Sequence, residues 1–147
     1  MVDSHSIDAT REQNFKLSTT NQTLAAVTVQ IKQGFGYGHV ELYTVDDDGG
    51  ALVLAAQAGT FRPNEIGYRI ALTRGLLGKA YRAGHTVHAD DVLTDPDYLA
   101  ETPRETRSQL CVPIVANTRV LALLNLESRQ VAAFTGEGVA VLETAAD

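Results

Sequence analysis

Apolar and polar positions divide the chain into short runs, and two of these runs are apolar at nearly every position. They cover residues 110–116 and 120–126 and are separated by Asn117-Thr118-Arg119. Two β-compatible runs joined by a few residues with an asparagine at the turn predict a β-hairpin. Because neither run alternates with polar residues, we expect this hairpin in the middle of a sheet that is covered on both faces. Pro113 removes one ladder donor, which favours a strand start, a bulge or an opening toward a cavity.

Four shorter segments complete the predicted sheet. Residues 39–45 and 52–59 alternate apolar and polar positions on either side of an acidic turn, residues 46–50, and predict a second hairpin. Residues 68–72 and 86–88 predict two short strands.

A short helix is predicted over residues 75–84, where the apolar side is formed by Leu76, Leu77, Ala80 and Tyr81. Gly84 is a typical helix cap. Gly78 lies inside the helix, where glycine costs about 1 kcal/mol relative to alanine. It therefore indicates a close approach by a strand or a ligand. The polar residues 86–107 that follow, with a turn or helix start at Asp95-Pro96, are typical of a mobile loop or lid.

Two amphipathic helices are predicted near the termini. The first begins at Thr20 or Asn21 and ends near Gly34, and its inward face is formed by Leu24, Val27 and Ile31. The last begins after Thr135 as N-cap, with Val139 and Leu142 facing inward. The helical pattern of this segment shows no stop signal before Asp147, as expected of an excised domain or of a helix that continues into a partner. Residues 1–18 lack periodicity and are expected to be a flexible arm, which leaves residues 19–147 as one domain.

Composition narrows the class of protein. With 44% hydrophobic and 20% charged residues, the 147-residue chain is typical of a globular domain with one core. Its net charge of -6 and lack of a Lys/Arg cluster argue against nucleic-acid binding. No apolar run approaches the ~20 residues of a membrane span, and no signal-peptide core is present. The lone cysteine, Cys111, has no internal disulfide partner, so we expect a cytoplasmic protein. Four histidines and one cysteine show no metal-ligand spacing, so no metal site is expected.

Four stretches in order resemble a GAF domain: GLLGKAYRAGHTVHADDVLTDPDY, SQLCVPI, VLALLNLES and AFTGEGVAVLE. The resemblance covers about residues 20–147. It implies an α+β, GAF/PAS-like fold with a central antiparallel sheet of about six strands and terminal helices on one face. On the other face it implies a ligand pocket roofed by residues 75–84 and 90–107. Domains of this family bind small molecules or cofactors and pass the change through terminal helices to an output domain or a partner such as a kinase.

The sequence departs from the family at several positions, and these departures argue against some of the activities and cofactors known in it. Free methionine-sulfoxide reductases of this family use several cysteines, and a single Cys111 provides no internal resolving thiol. Covalent bilin attachment uses a cysteine near the lid, whereas Cys111 falls in an interior strand. Haem-binding members supply a histidine just before the strand containing Pro113, where residues 95–109 contain none. For the cyclic-nucleotide subgroup, Asn125 and Phe134 match two of its motif positions, but its acidic pair is replaced by Glu137-Gly138, so this ligand remains open.

Seven residues are candidates for contact with a ligand: His39, Phe61, Leu77, Tyr98, Arg107, Cys111 and Asn125. Several have two interpretations. Cys111 is either a small buried apolar residue or a reactive thiol. Tyr98 either covers the pocket or anchors the lid. Arg107, with Arg104, either binds an anionic ligand or lies on a solvated loop surface. His39 and His88 are alternatives at the pocket border, and no catalytic set of side chains can be assembled.

The sequence therefore predicts a non-catalytic sensory domain of a larger signalling protein. It would bind an unknown small molecule, form a homodimer through its terminal helices and contact neither nucleic acid nor membrane. A ligand that prefers one lid arrangement would bias those helices. The alternatives are a ligand-free dimerisation module and a small redox enzyme or sensor using Cys111.

Overall fold

Six antiparallel strands form the frame of the molecule. A computed structural model describes residues 22, 25–33, 38–59, 61, 64–98, 105–136, 139–140 and 143. Its strands are β1 His39–Asp46, β2 Ala51–Gly59, β3 Arg69–Ala71, β4 Val87–Ala89, β5 Ser108–Ala116 and β6 Arg119–Ser128. They form one sheet in the order β3-β2-β1-β6-β5-β4. The predicted α+β class with a six-stranded antiparallel sheet is confirmed.

The β5–β6 hairpin lies inside the sheet, as its apolar sequence predicts. β6 is flanked by β1 and β5, and β4 pairs with the other side of β5. The turn consists of Asn117 and Thr118, whose φ angles are 52° and 63°. Two positive φ angles in a two-residue loop match the twist of the flanking strands. Arg119 pairs with Ala116, so the turn is one residue shorter than the polar triplet suggests.

Pro113 lies where β5 has lost its outer neighbour. β4 pairs only with residues 109–111 of β5, whereas Pro113 pairs with Leu123 of β6. The register shift of this hairpin follows one residue later, between Ile114 and Val115. Proline is tolerated at such a place because no second strand needs its missing N–H.

Alternation along the strands gives the sheet two faces with different coverings. The helix face buries Val40, Leu42, Ala56, Leu110, Val112, Leu124, Leu126 and Phe134. The roof face buries Tyr43, Leu52, Leu54 and Leu123 together with residues of the helix α2, Gly75–Ala83. The near-continuous apolar sequence of β5 and β6 results from both faces being covered.

Helical residues from both ends of the chain cover the helix face, as predicted. Ile31 of α1 (residues 25–33) and Val139 pack against its apolar cluster. The Val139 N–H donates to the Thr135 carbonyl over 2.9 Å, which agrees with a helix beginning after Thr135. Leu24 and Leu142 lie outside the described residues.

The inward face of α1 is rotated relative to the prediction. Val27 is 39% exposed, whereas Thr28 is fully buried. The Thr28 hydroxyl donates to the Ala25 carbonyl over 2.7 Å. Because this bond satisfies the hydroxyl within the helix, a polar residue can lie on the buried side.

α2 covers the roof face. It buries Leu76, Leu77 and Ala80 and ends at Gly84, which has a φ of 70° and donates its N–H to the Ala80 carbonyl. A Cβ at Gly78 would lie 2.8 Å from the carbonyl oxygen of Leu72. The close approach that Gly78 predicts is therefore made by the backbone that follows β3.

The described residues that follow β4 form turns. A 3-10 turn, Val92–Thr94, is capped by Asp91, whose carboxylate accepts from the Leu93 N–H. Asp91 is thus the N-cap of this turn. Among the described residues, no helix is long and apolar enough to cross a membrane.

Candidate functional site

Two rows of directly opposed side chains cross the roof face of β1, β6 and β5. The strand registers align His39, Glu127 and Gln109 in one row and Glu41, Asn125 and Cys111 in the next. Directly opposed side chains on one sheet face have Cβ atoms about 4.5–5.5 Å apart. None of the six is more than 6% exposed. These residues, called the polar rows below, place two carboxylates, two amides, an imidazole and a thiol in a sheet interior.

Hydrogen bonds join the second row to its neighbours. The Asn125 amide donates to Glu41 Oε1 over 2.7 Å, and the Gln109 amide donates to Asn125 Oδ1 over 2.7 Å. The Tyr43 hydroxyl donates to Glu41 Oε2 over 3.3 Å. A buried amide or carboxylate is costly unless it is bonded in this way, so the network fixes the side-chain orientations.

A cavity lies between the polar rows and the roof. Its floor is formed by Glu41, Tyr43, Gln109, Asn125 and Glu127, and its walls by Tyr68, Ile70, Leu76, Leu77 and Tyr98. Asn64, Arg74 and Gly75 complete the lining. The space in which the centre of a water molecule fits is about 50 Å³. Since about 10–15 Å³ of such space holds one water, the cavity accommodates a few waters or a group of similar size.

Exposed ion pairs tie the roof segments together. Lys79 of α2 contacts Asp97 at 2.9 Å, and Arg107 contacts Asp91 at 3.3 Å. The hydrogen bond to Asp97 raises the pKa of Lys79 above its usual value. Such pairs are weak when water and salt screen them. The roof is thus held less firmly than the buried floor.

Three of the seven candidate residues line the cavity: Leu77, Tyr98 and Asn125. The other four do not belong to the lining. His39 is buried beside the carboxylate of Glu41, and Phe61 stacks on the His39 ring with centroids 5.9 Å apart. Arg107 contacts Asp91 at 3.3 Å and is not among the lining residues.

Cys111 is fully buried and does not belong to the cavity lining. Burial, reinforced by the negative charges of Glu127 and Glu41, raises the pKa of its thiol well above the ordinary value. Because the thiolate is the nucleophile, this environment suppresses reactivity. Of the two interpretations of Cys111, the geometry favours the buried, inert side chain.

The sequence reasoning missed four floor residues, Glu41, Tyr43, Gln109 and Glu127. It also missed four lining residues outside the predicted roof: Asn64, Tyr68, Ile70 and Arg74. One signal was available. Glu41 shares its period-two face with the apolar residues Tyr43 and Val45, and Glu127 shares its face with Leu121 and Leu123. A charged residue there is an exception to ordinary core composition and marks a candidate site.

The structure also brings together groups capable of holding a cation. One ligand atom from each of His39, Glu41 and Glu127 lies within 4.8 Å of the others, and all three side chains are buried. The expectation of no metal site came from the spacing of histidine and cysteine along the sequence. That spacing does not detect a set built from one histidine and two carboxylates on adjacent strands.

Comparison with known proteins points to one family. Residues 18–147 match the GAF domain family. The fold is similar to a free methionine-R-sulfoxide reductase of Neisseria meningitidis, solved with its substrate, with 32% identity and a TM-score of 0.77 over 86% of this chain and 72% of that one. It is also similar to a type II free methionine-R-sulfoxide reductase of Thermoplasma acidophilum, with 27% identity and a TM-score of 0.80 over 89% of both chains.

A third similar structure is the GAF domain of an Acinetobacter phosphoenolpyruvate-protein phosphotransferase, with 19% identity and a TM-score of 0.77 over 99% of this chain and 90% of that one. At this identity the likeness concerns the fold alone. No curated protein matches the chain.

Proposed function

The chain belongs to the GAF domain family, and from that premise we propose that it is a non-catalytic sensory domain for a small polar molecule. The ligand binds between the polar rows and the roof, and the domain belongs to a larger cytoplasmic signalling protein. The observation that carries the proposal is the cavity floor of buried carboxylate and amide groups. A pocket with a few convergent polar groups among apolar and aromatic walls is the usual form of a small-molecule site.

The ligand class follows from the lining. Glu41, Gln109, Asn125 and Glu127 offer acceptors and amide donors at the floor, and tyrosine rings form part of the walls. These groups suit a polar molecule of about amino-acid size rather than a large apolar cofactor. Two similar structures are reductases of free methionine-R-sulfoxide, a modified free amino acid, which supports this class.

Signal transmission follows from the small cavity and the weakly tied roof. A ligand larger than a few waters fits only when α2 and the segment ending at Tyr98 move away from the floor. The strands beneath carry ligand-facing and helix-facing residues alternately, for example Glu41 between Val40 and Leu42. A ligand with different affinity for two roof arrangements therefore shifts the terminal helices, with a typical coupling of about 1–3 kcal/mol.

A thermal-shift panel tests the proposal. The panel contains free amino acids, methionine sulfoxide and nucleotides including cyclic nucleotides. We expect at least one of the small polar compounds to raise the melting temperature of the wild type, because a ligand of the folded state stabilises it by mass action. Asn125→Ala removes a floor group and abolishes the shift, whereas Leu121→Ala, on the exposed part of β6, leaves it unchanged. A shift equal in both variants, or no shift with any compound, contradicts the proposal.

A second candidate is reduction of free methionine-R-sulfoxide, favoured by the 32% identity with the reductase of Neisseria meningitidis. Against it stand the burial of Cys111 and the raised pKa of its thiol. An assay of this chain with methionine-R-sulfoxide and a dithiol reductant separates the two candidates. Turnover that disappears in Cys111→Ser supports the enzyme, and binding without turnover supports the sensor.

The domain also acts as a homodimer in this proposal. Val27 and Val29 of α1 are 39% and 41% exposed, which suits an interface between terminal helices. Light scattering of the wild type and of Val27→Lys tests this part separately. A monomeric wild type rejects the dimer and leaves ligand binding intact. A ligand-free dimerisation module instead predicts a dimer with no thermal shift in the panel.

A further inference from the structure

The strand register brings a histidine and two glutamates to one point. His39 and Glu41 are two residues apart on β1 and therefore share a face, and Glu127 of β6 lies directly opposite His39. The three side chains are 1%, 0% and 2% exposed. Their ligand atoms lie within 4.8 Å of one another. This arrangement does not depend on the proposed small-molecule ligand.

The imidazole of His39 is buried without a hydrogen-bond partner. Neither Nδ1 nor Nε2 has one, although buried ring nitrogens are normally bonded. Nε2 points at the cluster, 3.6 Å from Glu41 Oε2. A cation bound between this unbonded nitrogen and the buried carboxylate would satisfy both groups.

Neighbouring residues hold this ring in place. Phe61 stacks on it with an interplanar angle of 7°. A Cβ at Gly59 would lie 2.5 Å from His39 Nδ1, and a Cβ at Gly38 would lie 2.6 Å from the Phe61 ring. Two glycines therefore make room for the stacked pair, and the ring orientation is set by the surrounding chain.

We propose that His39, Glu41 and Glu127 bind a divalent first-row transition-metal ion at the floor of the cavity. One imidazole and two carboxylates suit Zn²⁺, Mn²⁺ or Fe²⁺. The two carboxylates supply two negative charges against the two positive charges of the ion.

The distances fit a tetrahedral ion with small adjustments. Ligands about 2.0–2.2 Å from such an ion lie about 3.3–3.6 Å from each other. The separation of His39 Nε2 from Glu41 Oε2, 3.6 Å, already matches. Glu127, within 4.8 Å, completes the set by moving its carboxylate about 1 Å, an adjustment that rotation of its side chain supplies.

Groups behind the ligands orient the carboxylates. The Asn125 amide donates to Glu41 Oε1 over 2.7 Å, and the Thr106 hydroxyl donates to Glu127 Oε1 over 3.2 Å. Such outer hydrogen bonds hold metal ligands in position, and their loss typically lowers affinity about 10–100-fold. Thr106 and Asn125 are positioning residues in this site.

The ion would be reachable from the cavity. Glu41 and Glu127 line it, and the ligand atom of His39 lies within 4.8 Å of theirs. Three protein ligands leave at least one coordination position, and this position faces a space that holds a few waters. Water or a donor atom of a small molecule completes the shell there.

Isothermal titration of chelator-treated protein with Zn²⁺ tests the proposal. We expect one ion per chain and an affinity that falls as the pH is lowered, because the ligands must be deprotonated. His39→Gln and Glu127→Gln weaken binding at least tenfold. His88→Ala, at a histidine 55% exposed, is the matched control and leaves binding unchanged.

A measurement on the wild type keeps the test decisive if the buried variants do not fold. Imidazole ¹⁵N resonances of the four histidines are followed as Zn²⁺ is added. Only the His39 resonance shifts if the site is correct. No binding, binding lost in His88→Ala, or shifts confined to exposed histidines would mean an adventitious ion only and overturn the proposal. Small-molecule binding that persists in chelator-treated protein leaves the proposed function standing.

Discussion

The two faces of the sheet are built from the same strands but differ in the side chains that they bury. Leu110, Val112, Leu124 and Leu126 project to the helix face, where they belong to one apolar cluster. The residues between them, Gln109, Cys111, Asn125 and Glu127, project to the roof face and form the polar rows with partners from β1. Because side chains alternate between the two faces, β5 and β6 each contribute apolar residues to the helix face and polar residues to the roof face.

Both faces contain an apolar cluster, but in the described structure the polar rows lie on the roof face. Apolar burial is non-directional and contributes roughly in proportion to area. Buried polar groups contribute little net stability and are costly when one partner is removed. Carboxylates and amides buried next to a cavity are expected of a binding site, because functional sites commonly cost stability.

The largest effect is expected on the helix face. Leu126→Ala removes a fully buried side chain and lowers the free energy of unfolding by about 2–5 kcal/mol through lost burial and a cavity. Urea denaturation measures it. Leu121→Ala, the same substitution at a residue 49% exposed on the same strand, is the control and changes stability by less than about 0.5 kcal/mol. Equal losses in the two variants would show that Leu126 does not lie in a packed core.

The adjacent residue, on the roof face, should show a smaller loss. Asn125→Ala leaves Glu41 Oε1 and Gln109 Nε2 without their 2.7 Å partner. A buried group that loses its partner costs about 1–3 kcal/mol. The same urea experiment applies, and the thermal-shift response to ligand should disappear in parallel. A destabilisation larger than that of Leu126→Ala would contradict the division between the faces.

The roof gives a third, smaller effect. Gly78→Ala improves helix propensity by about 1 kcal/mol, but the new Cβ would meet the Leu72 carbonyl at 2.8 Å. Overpacking typically costs about 1–3 kcal/mol, so we expect a net loss of about 1 kcal/mol and a displaced α2. Thermal unfolding and ligand titration are compared with Lys79→Ala, an exposed change in the same helix. Stabilisation by Gly78→Ala would mean that α2 does not touch this backbone.

The smallest effect concerns Cys111 and pH. Burial raises the pKa of its thiol in the folded state, whereas the pKa of a cysteine in the unfolded chain is about 8.5. Below that pH both states hold the proton. As the pH rises above it, the unfolded state is favoured and stability falls. Urea midpoints from neutral pH to pH about 10 should decline less in Cys111→Ala than in the wild type; parallel curves would place the thiol in water.

The sequence predicted the fold more completely than the site, for physical reasons. Alternation and turn chemistry are local, so the strands, the hairpin at Asn117 and the cap at Gly84 follow from a few neighbouring residues. The polar rows depend on register between strands far apart in sequence, such as His39 opposite Glu127. No local pattern contains that pairing. Val27 shows the same limit on a helix, where one hydroxyl bond at Thr28 rotated the buried side.

The central claim is that the polar rows exist to bind a guest rather than to hold the sheet together. Native mass spectrometry tests it on wild type and on Glu41→Leu/Asn125→Leu/Glu127→Leu, each incubated with a small-metabolite extract after thermal unfolding has shown both to be folded. The account predicts a bound small molecule on the wild type and the bare chain mass for the leucine variant, whose apolar replacements leave stability equal or higher. Retention of the same guest by both proteins, or a wild type that carries no guest, would contradict it.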